Sequence, residues 1–256
     1  MEDLDLEQIK SHLYLHAVMP QIEEIVCVDK ESQKLIGNWQ NSIQFDTILG
    51  PGICIKTVDG SIVTSRDRVG IPTLGLMFFK VSDIVKMFEG GKTKPIPWIG
   101  IWRIDLIKGL SFLSGRLKYY LSTSREELCK RNYLDAAMGI RLGVVVYAVQ
   151  VLSETWEKAI KIASIADEGV ASIRFRGGIT FQIISKEGKF KVHRNEVIPP
   201  NAIMEIRNSL YAYDLLSGNI DFWTAVGDGV VLLKGNLRLL DPIFDIFRHV
   251  GRFLKV

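Results

Sequence analysis

The residues best suited to metal binding or proton transfer are four histidines: His12, His16, His193 and His249. His12 and His16 stand four positions apart in a segment of helical periodicity, so both imidazoles would lie on one helix face and could share a metal ion. The H-E-x-x-H zinc motif is absent there, and no third ligand is evident. We predict an ordinary helix surface at this pair, a solvated strand end at His193, and no metal site.

Nucleophiles and phosphate-binding loops lack the sequence contexts that such chemistry needs. Ser111 and Ser114 stand outside any G-x-S-x-G motif, and Gly50-Pro51-Gly52 is not part of a G-x-x-x-x-G-K-[ST] loop. The carboxylates are scattered along the chain, and no pattern brings two of them across one cleft. The sequence therefore predicts no catalytic residue, no cofactor and a function other than catalysis.

Composition and charge indicate which classes of partner and which cellular compartment to expect. The net charge is only +3 and the hydrophobic content is 47%, so no strong electrostatic attraction to nucleic acid is predicted. The three cysteines, Cys27, Cys54 and Cys129, are odd in number and far apart, which argues against a disulfide framework. The first ten residues are acidic, unlike a signal peptide. We expect a cytoplasmic protein that does not bind nucleic acid.

One apolar run is long enough to raise the question of a membrane span. It extends from Leu142 to Leu152 and is interrupted at Gln150. Because a helix needs about 20 apolar residues to cross a bilayer, we predict a buried core helix here instead.

A stretch of the chain is present twice. Gly188 to Gly218 aligns without a gap on Gly60 to Gly90 when the numbering is shifted by 128, with five identities in thirty-one positions. Apolar positions coincide as well, and the same glycine follows the same helical run. The chain is therefore predicted to contain two units of one plan, residues 1–123 and residues 124–256.

The local patterns place helices and strands in the same order in both units. Residues 4–40 read as helical with a break at Pro20, and residues 124–166 form a second helical block. Strands follow, joined by the turns Asp59-Gly60 and Glu187-Gly188. In the first unit the two prolines of residues 92–98 predict an irregular loop, and the alternation of residues 102–106 predicts a strand.

The order and spacing of several short motifs in the second unit indicate a family. Pro200–Ile206 reads as a proline-led strand, Leu215–Ile220 closes a helix at a glycine, and Gly229–Leu237 reads as a strand that ends in Lys-Gly-Asn. Over about residues 170–250 the chain resembles the sterol carrier protein 2 (SCP2-like) family. Ile71–Leu74 and Phe88–Gly90 follow the same pattern more loosely in the first unit.

The resemblance implies an α+β fold, in which each unit is a mostly antiparallel five-stranded sheet covered by helices, often with a lipid-lined tunnel between them. It implies binding or transfer of fatty acyl chains, acyl-CoA or sterols. Some relatives instead use the module for oligomerisation or as an appendage of an enzyme. The chain ends Phe253–Val256 rather than in SKL, so that peroxisomal signal is missing.

The resemblance also implies which apolar side chains would line such a tunnel, although the same residues could form a dry core. If a tunnel is present, Arg66 or Arg194 would orient the head group of the ligand at its rim. The tunnel candidates are Leu215, Leu216, Trp223, Val226, Val231, Leu233, Leu240, Ile243, Phe244 and Phe247.

The last helix is predicted to be amphipathic. Its apolar stripe includes Leu240, Phe244 and Val250, and its other side carries basic residues with His249 among them. Such a helix either lies on an anionic membrane surface or covers its own domain.

Three functions remain open at this point. The leading one is non-enzymatic binding or transfer of a hydrophobic ligand. The second is a structural or interaction role, in which both cavities are filled by side chains and the two units form an internal pseudo-dimer. The third is a non-catalytic subunit of an enzyme, whose catalytic groups come from a partner.

Overall fold

The computed structural model describes residues 5–37, 39–175 and 178–254. The chain forms two compact units: the first ends at Tyr119 and the second begins at Tyr120, within a single helix. The boundary predicted from the sequence, after residue 123, lies slightly further along the chain.

The first unit begins with helices and continues into a sheet. A π-helical turn, Tyr14–Val18, follows α1 directly, and Pro20 precedes α2, so the helical block is interrupted where the proline predicted. Its elements are α1 (Leu6–Leu13), α2 (Gln21–Val28), α3 (Lys30–Ile36), β1 (Ser42–Thr47), β2 (Ile53–Val58), β3 (Ser61–Ser65), β4 (Leu74–Phe78), α4 (Val81–Phe88), β5 (Ile96–Ile99) and α5 (Ile104–Ser122).

The second unit has the same general order, helices first and then a sheet, and ends in a long helix. Its elements are α6 (Arg125–Lys130), α7 (Leu134–Thr155), α8 (Glu157–Ser164), β6 (Gly169–Phe175), β7 (Thr180–Lys186), β8 (Lys189–Arg194), β9 (Ala202–Ile206), α9 (Ser209–Leu216), α10 (Phe222–Gly227), β10 (Val231–Gly235) and α11 (Leu237–Phe253).

Both units contain a five-stranded sheet with the same topology. The strand order is β3-β2-β1-β4-β5 in the first and β8-β7-β6-β9-β10 in the second. In each sheet the central pair, β1 with β4 and β6 with β9, is parallel, and the other pairings are antiparallel. The predicted α+β class with two five-stranded sheets is confirmed, and the sheets are mixed rather than purely antiparallel.

An ion pair recurs at equivalent places in the two units with its charges exchanged. Arg68 contacts Asp46 of β1 at 3.1 Å, and Glu196 contacts Arg174 of β6 at 3.2 Å. Asp46 and Arg174 are 128 residues apart, and so are Arg68 and Glu196, which is the shift that aligns the two sequences. The two positions therefore keep an opposite-charge pair beside the central strand, whichever residue carries which sign.

The outer strand of each sheet is bound by a side chain from a helix. Glu23 of α2 accepts a hydrogen bond from the backbone N–H of Thr64 in β3, and Gln150 of α7 accepts one from Val192 in β8. Because an unpaired strand edge exposes backbone donors to other chains, these contacts satisfy one donor on each edge. Thr64 and Val192 are again 128 residues apart.

A glycine at the C-terminal end of the last strand of each unit, directly after β5 or as the final residue of β10, has no room for a side chain. Gly100 and Gly235 have φ angles of 73° and 84°. A Cβ atom would lie 2.1 Å from the carbonyl oxygen of Thr73 at the first position and of Asn201 at the second. Both the left-handed backbone and the close approach to the neighbouring strand require glycine.

Two local predictions in the first unit are wrong. Residues 96–99 form β5 instead of a loop, although they contain Pro97, and residues 102–106 are not a strand because α5 begins at Ile104. The strand β5 lies at the edge of the sheet. A proline is tolerated there because its missing N–H can face away from the sheet.

The core of the second unit is built around α7. The 22-residue helix is long and apolar enough, by length and composition alone, to cross a bilayer, and 83% of its most apolar window is buried within the structure. Arg141 lies buried in its middle, where Nε donates to the carbonyl oxygen of Tyr120 at 3.1 Å and a terminal nitrogen donates to that of Thr123 at 2.8 Å. These bonds satisfy carbonyls at the end of α5, which a buried helix end needs.

His16 is buried, so the prediction that it lies on a helix surface is wrong. Its Nε2 lies 2.9 Å from the carbonyl oxygen of Gly52. His12 contacts it edge to face, with 5.4 Å between ring centroids. Among the described residues, no group of three or more candidate ligands surrounds the pair. Burial lowers the pKa of His16 to about 4, although the hydrogen bond with Gly52 acts in the opposite direction.

The buried His16 predicts a loss of stability in mild acid. Since the unfolded chain binds a proton near pH 6.5 and the folded chain only near pH 4, the free energy of unfolding should fall by about 3 kcal/mol as the pH drops through that window. Denaturant titrations of the wild type and of His16→Gln, whose amide can still donate to Gly52, would measure it. Equal pH dependence in both proteins would contradict the prediction.

Gly100 offers a test of the backbone requirement. The Gly100→Ala variant should lose about 2–4 kcal/mol of unfolding free energy, because the new Cβ strains a left-handed residue and strikes a carbonyl oxygen. Gly70→Ala is the matched control, since no atom lies within 4 Å of its added Cβ. Chemical denaturation of both would decide, and equal stabilities would show that the sheet can yield at Gly100.

Candidate functional site

The site is an apolar cavity of about 250 Å³ in the second unit. Five elements form its walls: α7, β9, α9, α10 and α11. Their lining residues are Leu142 and Val145 of α7, Met204 and Ile206 of β9, Leu215 and Leu216 of α9, Ile220, Phe222 of α10, and Phe244, Phe247, Arg248, Val250 and Gly251 of α11 with Leu254 after it.

Three of these helices begin at a side-chain cap, which fixes where each wall starts. Asn208 accepts hydrogen bonds from the first turn of α9, Asp221 from that of α10, and Asn236 from that of α11. A cap of this kind satisfies backbone donors that the helix leaves unpaired. The sequence signal is an Asn or Asp directly before each helical run.

A second cavity, of about 280 Å³, also has Phe244 in its lining. Among the described residues that line the two cavities, Phe244 alone is common to both. The second cavity is lined by Trp223, Leu233, Leu237, Arg238, Leu240, Asp241 and Phe244.

The structure distributes the predicted tunnel residues over both cavities and the solid core. Leu215, Leu216 and Phe247 line the first cavity, Trp223, Leu233 and Leu240 line the second, and Phe244 lines both. Val231 and Ile243 are buried, Val226 is half-buried, and these three line neither cavity.

Ten of the fourteen residues that line the first cavity are not among the candidates predicted from the sequence. Met204 and Ile206 alternate along β9, and this alternation is the sequence signal that could identify them. Leu142 and Val145 belong to a helix that is apolar on all sides, so periodicity could not show which of its residues would face a cavity.

Arg248 supplies the charge of the first cavity. Its side chain is 63% exposed, and a terminal nitrogen lies 2.6 Å from Asp245 Oδ1. Among the described lining residues, no other carries a formal charge, and none carries a hydroxyl, a thiol, a carboxylate or an imidazole. Arg66 and Arg194, the predicted rim residues, line neither cavity. The described lining can therefore hold an apolar group beside an anion, and it offers no acid, base or nucleophile.

The wall helix α10 distinguishes the two units. Gly90 and Gly100 are ten positions apart, whereas their equivalents Gly218 and Gly235 are seventeen apart. The additional residues include α10, and in the described part of the first unit no helix stands between α4 and β5. Phe222 and Trp223, one in each cavity lining, thus come from a segment without a counterpart in the first unit.

The helix α11 packs its apolar face on its own unit, and His249 is buried with that face rather than lying on the basic side as predicted. The His249 ring meets Trp156 edge to face at 5.1 Å, and its Nε2 lies 3.1 Å from Lys158 Nζ. Burial, and then the charge of Lys158, lower the pKa of His249. The neutral ring therefore anchors α11 to α8 beside the cavity.

Comparison with known proteins adds a partial likeness of fold. No known protein family and no curated protein matches the sequence. Solved structures that resemble it include the sterol carrier protein domain 2 of Helicoverpa armigera, with 21% identity over 45% of this chain and 92% of that one and a TM-score of 0.35. Sterol Carrier Protein 2 Like 2 from Aedes aegypti is 10% identical over 41% of this chain and 95% of its own, with a TM-score of 0.29. The UbiJ-SCP2 ubiquinone synthesis protein is 11% identical over 41% of this chain and 94% of its own, with a TM-score of 0.30.

A larger side chain at Gly251 of α11, which lines the first cavity, should obstruct ligand binding without destabilising the fold. Gly251 is exposed and no atom lies within 4 Å of a Cβ added there, so Gly251→Leu should raise the free energy of unfolding by about 1 kcal/mol through helix propensity. It should also reduce the fluorescence of a bound apolar dye such as ANS.

Gly115→Leu is the matched control, because Gly115 is an exposed helical glycine with equal space and lies outside both linings. It should gain helix stability alone and leave the dye signal unchanged. Unaltered dye binding by Gly251→Leu would contradict the placement of the cavity.

Proposed function

We propose that the second unit is a non-enzymatic binding module for a long-chain lipid with an anionic head group. The observation that carries this proposal is the first cavity, a space of about 250 Å³ lined by apolar side chains with Arg248 as its charged residue. An apolar chain would lie between α11 and β9, and the head group would remain at Arg248.

The size of the cavity favours part of a chain over a large rigid body. Small-molecule sites usually measure about 300–1,000 Å³, and this cavity falls just below that range. Each buried methylene contributes about 0.8 kcal/mol, against an association cost of about 4–15 kcal/mol. About ten buried methylenes would therefore give a gross gain near the middle of that cost, and affinity depends on how well the chain fills the space.

The charge at the cavity favours a carboxylate or phosphate over a neutral head group. Arg248 donates to Asp245, and an incoming anion would compete for the same guanidinium. A guanidinium binds carboxylate and phosphate oxygens through paired hydrogen bonds. Because the side chain is largely exposed, its contribution to affinity is modest, and it selects the head group more than it adds strength.

The first experiment asks whether the purified protein carries a lipid. Extraction with organic solvent followed by mass spectrometry should recover an amphiphile with an acyl chain. Sterols and acyl-CoA are the other ligand classes that this experiment would identify. No extracted lipid, together with no uptake of a fluorescent fatty acid, would contradict the proposal.

The second experiment tests the head-group residue. Arg248→Gln should weaken binding of a saturated fatty acid about three- to tenfold and leave binding of the corresponding fatty alcohol unchanged. Arg252→Gln removes an exposed arginine of the same helix that lies outside both linings and serves as the control. Equal losses for acid and alcohol would show that Arg248 does not recognise the charge.

An interaction role for the first unit is a second candidate, favoured by its exposed apolar surface. Ile96, Trp98, Ile101, Trp102 and Ile104 are all exposed, and Trp102 is 77% exposed. Five large apolar side chains within nine positions are typical of a surface that another protein covers. Self-association measured by sedimentation would support this role if Trp102→Ser abolished it.

Membrane contact through α11 is less favoured than either role. The apolar face of this helix is buried within its own unit, so the helix would have to detach before it could lie on a bilayer.

A further inference from the structure

The described linings of the two cavities in the second unit share one aromatic residue. Phe244 of α11 lines both, and only 7% of the residue is exposed. Ile220 and Phe247 line the first cavity alone, and Leu233 and Leu240 line the second alone. Removing the Phe244 ring would therefore join two spaces that the described structure keeps apart.

Phe244 combines aromatic contacts with a place in the lining of both cavities. Its nearest aromatic neighbour is Phe222, with 4.4 Å between centroids, and Phe247 lies 6.4 Å away. The same residue lines cavities of about 250 and 280 Å³. Because dispersion contacts hold a core side chain in place and an empty space supplies none, a change of rotamer costs this ring less than it would cost a fully packed one.

The backbone beside Phe244 is also less constrained than a regular helix. Pro242 lies inside α11 and lacks an N–H, so the carbonyl group four residues earlier, at Arg238, receives no helical hydrogen bond from it. A local adjustment of α11 near Phe244 therefore breaks fewer hydrogen bonds than elsewhere in the helix.

The volumes of the two cavities indicate that the Phe244 ring affects which ligands can bind. Cavities of about 250 and 280 Å³ are each below the usual size of a small-molecule site. Joined, they would fall within that range. One cavity adjoins Arg248 and the other adjoins Trp223 and Leu237, which are 59% and 57% exposed.

We propose that Phe244 is the specificity-determining residue for chain length: its ring ends the first cavity and limits how much of an apolar chain can be buried. The inference rests on the proposed function. A chain that enters beside Arg248 would gain affinity with each methylene until its end meets the ring. Further methylenes would stay in water unless the ring moved aside and opened the second cavity.

The test is a chain-length series with a variant that removes the ring. Dissociation constants for saturated fatty acids of increasing length are measured by displacement of a fluorescent fatty acid. In the wild type, affinity should rise up to about fourfold per methylene and then level off. In Phe244→Ala the rise should continue for several further methylenes, because the joined cavity accepts them.

Two further variants make the result specific. Phe247 lines the first cavity alone, so Phe247→Ala adds the volume of one ring without opening the second cavity. Its levelling length should therefore increase by fewer methylenes than that of Phe244→Ala, and equal increases would contradict the role of Phe244. Adding Leu233→Trp to Phe244→Ala refills the second cavity and should restore the wild-type limit. Phe244→Leu, checked by circular dichroism, replaces Phe244→Ala if the latter does not fold.

The outcomes separate this inference from the function beneath it. If the wild type binds fatty acids and both Phe244 variants level off at the wild-type length, the role of Phe244 is wrong and lipid binding stands. If the wild type binds no fatty acid of any length, the proposed function fails, and the inference fails with it.

Discussion

The burial of one face of α11 is the constraint on which the second unit depends. The apolar face of this helix is buried against α7, α8 and the sheet strands β6 and β9. Its N-terminal cap at Asn236 and the buried contact of His249 with Trp156 fix it at two points. Between them, the aromatic residues of α11 and α10 leave spaces that they do not fill. The cavities are thus a consequence of how the core is closed.

The two units satisfy the same structural requirements with different residues. The central strand of each sheet keeps an ion pair whose signs are exchanged, Asp46 with Arg68 and Arg174 with Glu196. The glycine at the end of the last strand is required in both, because the neighbouring carbonyl leaves no room for a Cβ. The difference lies in α10, the segment that supplies an aromatic residue to each cavity lining. Ligand binding is therefore proposed for the second unit alone.

Sequence patterns predicted the fold class and the paired plan because turns and apolar periodicity are local signals. They missed the first strand of each sheet, because β1 buries polar residues and so hides its alternation: Gln44 and Asp46 are both buried, with Gln44 donating to Asp46 at 2.7 Å. Pro97 concealed an edge strand. Among the residues that line the first cavity, the resemblance names Leu215 and Leu216 of α9 and Phe244 and Phe247 of α11. The walls from α7 and the position of Arg248 could not, because they depend on how distant elements pack.

The most direct test of the account is methyl NMR of the protein, titrated with a saturated fatty acid of intermediate length. If the cavity is the binding site, the methyl groups of Ile206, Leu215 and Val250 should shift with one common dissociation constant. The methyl groups of the first unit and of Ile243 in the packed core should stay within error of their free positions. No shift in the cavity methyls, or shifts centred on the first unit, would contradict the account.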